Sequence, residues 1–257
     1  MTKTETPTIH SLPTHREVYY PESDGKPIAE TDMHRNLLVD VFFMVQHHFQ
    51  KQQDVYVSAD LLLYYEEGNP QKSVVPDVFV VFGVEKKNRD NYLLWEEGKE
   101  PDFVLEISHR KTYDYDLGEK KRIYAEELGV KEYFIYDPDH FLRPALQGYR
   151  LIDGAYHPIQ LVSERFVGGW LRSEVLGLEI GLKTRELDFY NPQSGRHLLT
   201  SKEWSEIFRV DQLEAQLEQE IQARKLAEAR AEKAEAELAQ LLRTEIERLR
   251  AQQTNDR

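Results

Sequence analysis

The sequence predicts an α/β fold of the α+β type, in which a mixed central sheet is flanked by helices and followed by a long C-terminal helix. Three observations support this prediction. Short hydrophobic runs bounded by Gly and Pro alternate with segments of helical periodicity, in the order αβββαβ. One predicted strand is apolar almost throughout, as is typical of a strand inside a sheet. From Trp204 onwards the sequence contains neither Gly nor Pro, which indicates an uninterrupted helix.

The first half of the chain predicts one helix and three strands. Apolar residues of the helix recur every three or four positions, and Thr31 or Asp32 can cap its start. The loop before the third strand is charged but contains Tyr92 and Trp95, so we expect it to pack against the domain. The first two strands are expected to form a hairpin. In chain order these elements cover residues 33–49, 54–65, 74–84 and 103–108.

The second half predicts a helix, a fourth strand, an edge hairpin and a closing pair of extended segments. The helix is followed by Gly129, a residue favoured just after a helix end. Pro138 stops the strand that follows, and Gly and Pro punctuate the hairpin. In chain order these elements cover residues 114–128, 130–137, 142–162, 176–180 and 185–189.

The chain is predicted to have three parts. Residues 1–16 lack an apolar core, so we expect a flexible leader and neither a signal peptide nor a membrane span. Residues 17–203 form one domain. Residues 204–257 form a charged helix in which early apolar residues fit a coiled-coil seam, whereas alanines occupy the seam further on. A coiled coil that forms a homodimer and a single charged helix both remain open.

Composition excludes several kinds of site. The 257 residues include no cysteine, which excludes disulfides, zinc–thiolate sites and thiol nucleophiles and suits the cytoplasm. The formal net charge of -13 argues against binding nucleic acid by overall charge. Positive residues are concentrated between Lys86 and Arg122, as a local basic patch or as ordinary solvated surface. Neither a Gly-x-Ser-x-Gly elbow nor a phosphate-binding loop is present, and we expect no small organic cofactor and no membrane partner.

Two carboxylates in apolar surroundings form the candidate site. Asp77 follows Pro76 at the start of one predicted strand, and Glu106 interrupts the apolar third strand. If the two strands are neighbours, these side chains can meet and offer the oxygen ligands that Mg²⁺ prefers. Lys120, on the following helix, can orient a water molecule and offset charge on a phosphate. The pattern predicts a divalent-metal site that hydrolyses a phosphate ester.

Each residue also has a structural interpretation. Asp77 after a proline fits a turn, and Asp116 fits an acid in the first turn of a helix better than a catalytic role. A buried Glu106 must be paired, ligating or shifted in pKa. His34 is as consistent with a structural hydrogen bond as with a site role, and Tyr124 fits packing with its hydroxyl in a polar network.

The residues then resemble a known family. Pro76-Asp77 and Glu106-Ile107-Ser108 resemble the PD-(D/E)XK nuclease signature, although Ser108 stands where that signature has lysine. A larger block resembles the bacterial restriction-endonuclease-like family called Uma, formerly a domain of unknown function. In this chain the serine of the family pattern falls one position early, at Ser108, and His109 occupies the position where the family has serine. The block comprises Glu106, Thr112, Asp116, Lys120, Tyr124, Gly129-Val130, Glu132-Tyr133 and Asp137-Pro138.

The resemblance implies a restriction-endonuclease-like fold and a DNA endonuclease. It implies Mg²⁺, or Mn²⁺ as a substitute, held by Asp77, Glu106 and the backbone carbonyl of Ile107. The catalytic lysine is implied to have moved to the helix, at Lys120, with Lys121 as the alternative. Glu30, before the first helix, is a further candidate to approach the metal.

Three functions remain compatible with the sequence. The first is a Mg²⁺-dependent DNA endonuclease that acts as a homodimer. The second is a nuclease-like binding or assembly module that oligomerises through its C-terminal helix. The third is a hydrolase of another phosphate ester that uses the same residues.

Overall fold

The computed structural model describes residues 18–21, 31–163, 169–184 and 186–255. The predicted leader, residues 1–16, lies outside these ranges. The helices are α1 (Asp32–His48), α2 (Leu94–Glu97), α3 (Tyr113–Tyr115) and α4 (Ser201–Asn255). The first seven strands are β1 (Val55–Ala59), β2 (Leu63–Tyr64), β3 (Ser73–Val74), β4 (Val78–Phe82), β5 (Tyr92–Leu93), β6 (Phe103–Ile107) and β7 (Glu132–Tyr136). The later strands are β8 (Leu146–Ile152), β9 (Ala155–Pro158), β10 (Leu161–Ser163), β11 (Trp170–Ser173), β12 (Leu178–Lys183), β13 (Glu186–Asn191) and β14 (Arg196–His197).

A six-stranded mixed sheet in the order β1-β4-β6-β7-β8-β9 forms the centre of the fold. Strand β6 is antiparallel to β4 and parallel to β7. All five of its residues are buried, because it has neighbours on both edges and packed layers on both faces. The predicted α+β class, the central position of the third strand and the edge hairpin β8–β9 are confirmed.

The prediction of one strand over 54–65 is wrong. Strand β1 ends at Ala59, and β2 belongs to a different, three-stranded sheet in the order β3-β2-β5. Between them Asp60 has a φ of 49°, in the left-handed region, and its N–H donates to the carbonyl oxygen of Pro76 at 3.2 Å. A residue in that conformation turns the chain out of an extended path.

The predicted strand over 74–84 is also divided. Pro76 has no N–H to donate to a ladder, and it separates β3 from β4. The hairpin prediction is confirmed in part, since β1 pairs with β4 from Val55 opposite Phe82 to Ala59 opposite Val78. Asp77 therefore lies directly before the first residue of β4.

Each face of the central sheet is covered. On one face α1 packs its buried Val41, Met44 and Val45 against the sheet, and the N–H of His34 donates to the Thr31 side chain at the helix start, as predicted. The other face is covered by residues 113–127, which we call the site helix. Its side chains Ile123 and Tyr124 lie in the second core cluster.

The site helix is not the regular α-helix that the sequence predicts. After α3 it continues as π-helical turns at Asp116–Lys120 and Ile123–Glu127. The carbonyl oxygen of Asp116 accepts a hydrogen bond from the Tyr133 hydroxyl at 2.9 Å. Wide turns of this kind are frequent at functional sites. Gly129 follows with a φ of 62°, as expected for a residue just past a helix end.

A second, five-stranded antiparallel sheet runs in the order β10-β11-β12-β13-β14. The sequence predicted β12 and β13 of this sheet, and β10, β11 and β14 were not predicted as its strands. Gly181 on β12 leaves room for the buried ring of Trp170 on β11, because a Cβ at position 181 would lie 2.3 Å from that ring.

The C-terminal helix α4 is confirmed as an uninterrupted helix, and residues 202–257 form a separate compact unit. Every described side chain from 202 onwards is exposed. No helix within the described ranges has both the length and the apolar character needed to cross a membrane.

Candidate active site

Asp77 and Glu106 meet at the ends of two central strands. Val78 lies opposite Leu105 in the β4–β6 ladder, so one further step brings Asp77 opposite Glu106. Residues directly opposite each other in an antiparallel pair point to the same face of the sheet. The Ile107 N–H donates to Asp77 Oδ2 at 2.6 Å, and the Glu106 carboxyl group influences the pKa of Asp77.

Both oxygens of the Glu106 carboxylate receive hydrogen bonds from the site helix. Lys120 Nζ donates to Oε2 at 2.7 Å, and the Tyr124 hydroxyl donates to Oε1 at 2.6 Å. These two donors are four residues apart, so they project from one face of the helix. Glu106 is only 1% exposed, and the hydrogen bonds to its two carboxylate oxygens fix the position of its side chain.

Lys121 lies in a different environment. Its Nζ is 3.3 Å from the centre of the Tyr149 ring. Burial lowers the pKa of this lysine. The structure brings Lys120, and not Lys121, to the carboxylates, which separates the two lysines that the sequence left ambiguous.

Asp116 lies beside Lys120 and is hydrogen-bonded to Ser108. Asp116 is buried, its Oδ2 accepts a hydrogen bond from Ser108 Oγ at 2.8 Å, and its Oδ1 is 3.8 Å from Lys120 Nζ. The sequence favoured a plain helix-start acid at this position. Asp116 does begin a helical turn, but it also contacts the lysine. Ser108, two residues after Glu106 on the same strand face, anchors this aspartate.

His34 reaches the site from the start of α1. It is 5% exposed, and its Nε2 lies 3.9 Å from Asp77 Oδ1. Its ring centre is 5.7 Å from that of His109, whose Nδ1 lies 2.9 Å from the Thr112 hydroxyl. Glu30, the other predicted accessory residue, lies outside the described residues.

Burial and charge shift the protonation of the site. Burial raises the pKa of Asp77 to about 6, although the Lys120 ammonium opposes this shift. Burial also raises the pKa of Glu106 well above its usual range, and the neighbouring Asp77 and Asp116 add to the effect. Burial disfavours the Lys120 ammonium, but the three carboxylates outweigh that effect and raise its pKa. Lys120 therefore stays charged, and the ionised site carries an excess of negative charge.

The residues fit a hard divalent cation. A cation bound between Asp77 and Glu106 would offset the excess negative charge, and carboxylate oxygens are the ligands that Mg²⁺ prefers. Within the described residues, no group of three or more His, Asp or Glu side chains is arranged to hold a metal ion. An ion here would rely on the two carboxylates, the Ile107 carbonyl and water, and Mg²⁺ usually keeps several waters.

Sequence reasoning assigned no role to Glu132. This fully buried carboxylate accepts hydrogen bonds from Arg150 at 3.0 Å and from the Ser173 hydroxyl at 2.5 Å. It joins the central sheet to the second sheet. The signal that identified Glu106, a lone acid in an apolar strand, is equally present at Glu132, so this signal alone does not separate a site from a structural ion pair.

Tyr133 was also missed as a contributor to the site. Its hydroxyl holds the Asp116 carbonyl oxygen, and its ring centre lies 5.1 Å from that of Tyr124. Burial raises the pKa of both tyrosines far above the usual range, so both remain protonated donors. Tyr133 belongs to the block that resembles the family, but an aromatic residue inside an apolar strand does not by itself indicate this role rather than packing.

The chain was compared with solved structures, curated proteins and family models. The crystal structure described as "a putative nuclease belonging to DUF820 from Anabaena variabilis ATCC 29413" is 15% identical, covers 52% of this chain and 73% of that chain, and has a TM-score of 0.40. No curated protein matches the chain. The model of the Uma2 family, described as "Putative restriction endonuclease", matches residues 6–188. Because this match spans most of the chain, the protein belongs to the Uma2 family.

Proposed function

We propose that the protein is a Mg²⁺-dependent endonuclease that hydrolyses phosphodiester bonds in DNA. One observation carries the proposal. Asp77 and Glu106 face each other across adjacent strands, and the Lys120 ammonium lies 2.7 Å from Glu106. Two carboxylates and a lysine at one point are the groups that phosphodiester hydrolysis needs. Membership of a family described as a restriction endonuclease supports the same chemistry.

The metal is assigned to the two carboxylates. Mg²⁺, held by Asp77, Glu106 and the Ile107 carbonyl, would supply a Lewis acid that offsets phosphate charge and acidifies water. Mn²⁺ is expected to substitute, since it takes similar oxygen ligands.

The residues of the chain have distinct roles in the proposed reaction. Lys120 donates a hydrogen bond to the attacking water and orients it towards phosphorus. The water releases one proton to solvent as its oxygen forms a bond to phosphorus, one ester P–O bond breaks, and the leaving oxygen takes up a proton from solvent. The positive charge of Lys120 also stabilises the negative charge that develops on the phosphate oxygens.

Two further residues act by positioning. Tyr124 donates to Glu106 Oε1, which leaves the carboxylate in one orientation. Asp116, anchored by Ser108, lies beside Lys120 and limits the positions of its side chain. Positioning of this kind matters because small displacements of a reacting group lower the rate steeply.

A plasmid nicking assay tests the proposal. Purified protein with Mg²⁺ should convert supercoiled DNA to the nicked form, and EDTA should abolish the conversion. Asp77→Asn, Glu106→Gln and Lys120→Met should each lower the rate by about 100-fold or more. Lys121→Met is the matched control and should act like the wild type. Nicking that persists in EDTA, or equal rates in all four variants, would contradict the proposal.

We further propose that the protein acts as a homodimer through α4. The apolar side chains of this helix are exposed, among them Leu213 at 57%, Leu217 at 58% and Leu241 at 68%. Most helical stability in proteins comes from packing of an apolar face, and a second copy would bury this row. Light scattering should give twice the mass of one chain, and Leu213→Glu with Leu217→Glu should give a monomer. A monomeric wild type would contradict the dimer, and a dimer without nuclease activity would favour an assembly module.

A further inference from the structure

Two loops leave the central sheet beside the candidate site. Strands β6 and β7 are parallel neighbours, with Ile107 opposite Tyr136, and the Ser108 N–H donates to the Tyr136 carbonyl oxygen at 2.7 Å. The segments that follow them, residues 109–112 and 137–145, therefore start at the same edge of the sheet. Glu106 also lies near this edge.

The two loops present an exposed aromatic ring among cations. Phe141 is 53% exposed, and the Arg110 guanidinium carbon lies 5.4 Å from the centre of its ring. A guanidinium at this distance is attracted to the ring face. Lys111 and Arg143 are also exposed. We call these four residues the loop surface.

The Phe141 loop is held in place by hydrogen bonds to the Asp137 side chain. Asp137 accepts hydrogen bonds from the N–H groups of Asp139 at 3.0 Å and Leu142 at 2.6 Å. His140, directly before the phenylalanine, has a φ of 57°, a backbone conformation that is uncommon outside glycine. The loop thus holds the Phe141 side chain in solvent, so this side chain does not contribute the stability that burying it in the core would give.

The charge of the loop surface differs in sign from that of the whole chain. Its three cations outnumber the two nearby exposed acids, Asp139 on the second segment and Asp114 two residues past the first. The chain as a whole has a formal net charge of -13. Arg110, Lys111 and Arg143 are exposed, and cations on an exposed surface attract an anionic ligand.

We propose that the loop surface binds a DNA strand with unpaired bases next to the bond that is cut. The inference rests on the proposed nuclease function and defines its substrate class. Phe141 stacks on one base, and Arg110 and Lys111 contact the flanking phosphates. Stacking on a side chain requires a base whose face is free, which single-stranded, frayed or branched DNA offers and the interior of a duplex does not.

Binding of labelled oligonucleotides tests this inference without cleavage. Fluorescence anisotropy in EDTA compares a single strand with the duplex of the same sequence, for the full chain and its variants. Phe141→Ala should weaken single-strand binding by about tenfold, the usual effect of losing one stacked base, and leave duplex binding within about twofold. Arg110→Ala should weaken both and lower the salt dependence of binding.

Ile152→Ala is the matched control. Ile152 is 47% exposed and lies at the far end of β8, paired with Ala155. The end of β8 near the site is Leu146, opposite Tyr136. Removing the exposed Ile152 side chain should leave DNA binding unchanged. Phe141→Ala and Ile152→Ala should both unfold at the temperature of the wild type, because both side chains are exposed.

The outcomes separate this inference from the nuclease proposal. Three results would contradict DNA binding by the loop surface. Phe141→Ala could bind single strands as well as the wild type does, it could lose equal affinity for single strands and duplex, or the wild type could bind no single strands. Cleavage of single-stranded DNA at the wild-type rate by Phe141→Ala would also contradict the role of the loop surface, and it would leave the nuclease proposal intact. Phe141-dependent binding without any cleavage would support the surface and contradict the nuclease.

Discussion

Lys120→Met removes the ammonium group that contacts the buried Glu106 carboxylate. The side chains of the two residues are 13% and 1% exposed, so the pair is shielded from water. Removing one partner of a buried ion pair typically costs about 3–5 kcal/mol. Methionine keeps the apolar stem packed and Glu106 can take up a proton, so we expect about 3 kcal/mol, at the lower end of this range.

Urea unfolding in EDTA measures this loss apart from any activity. For a slope of about 3 kcal/mol per molar urea, the unfolding midpoint should fall by about 1 M. Lys121→Met is the control, since its ammonium lies over the Tyr149 ring and a contact of this kind contributes about 0.5–1 kcal/mol. Glu106→Gln combined with Lys120→Met should recover part of the loss, because the uncompensated charge is gone.

Two results would refute this reasoning. If Lys120→Met and Lys121→Met lose the same free energy of unfolding, the Glu106 contact is not the cause. If the double variant is less stable than Lys120→Met alone, the cost does not come from an unpaired Glu106 charge.

Three further predictions concern residues around the site and the core. Ser108→Ala removes a donor to buried Asp116 and should cost about 1–3 kcal/mol of unfolding free energy, and an unchanged urea midpoint would contradict the anchoring role. Glu132→Gln should cost about 2 kcal/mol through its charge-assisted bonds to Arg150 but leave the nicking rate at low temperature unchanged, whereas a loss of rate with intact folding would contradict a structural role. Burial lowers the pKa of His48 below 6.5, so the unfolded chain takes up a proton that the folded chain resists, and the contribution of His48 to stability falls from about pH 7 towards pH 5. His48→Gln should therefore raise stability at pH 5 relative to pH 7 when compared with the wild type, and an unchanged difference between the two pH values would contradict it.

Local patterns predicted most of the elements around the site. The apolar run over 103–108 predicted the central strand β6, and the helical pattern over 114–128 placed Asp116 and Lys120 on one helix, where the structure brings their side chains within 3.8 Å. These predictions depend only on periodicity and on neighbours within one turn. The break at Asp60 was not predicted, because the left-handed conformation of an aspartate depends on its long-range partners, here the carbonyl of Pro76.

The side-chain contacts that define the site cannot be predicted from the hydrophobic pattern of the sequence. The pairing of Ser108 with Asp116 and of Tyr133 with the Asp116 carbonyl depends on how the site helix lies on the sheet. Glu132 and Glu106 look alike in sequence, yet one bonds to the second sheet and the other to Lys120. Only the three-dimensional arrangement distinguishes these two acids.

A crystal structure with Mn²⁺ soaked in tests the central claim most directly, since Mn²⁺ is located by its anomalous scattering. We predict one ion within about 2.5 Å of carboxylate oxygens from both Asp77 and Glu106, and its loss in Asp77→Asn. An ion bound elsewhere, or no ion while Glu106 keeps its contact with Lys120, would contradict the assignment of these two carboxylates as the metal site.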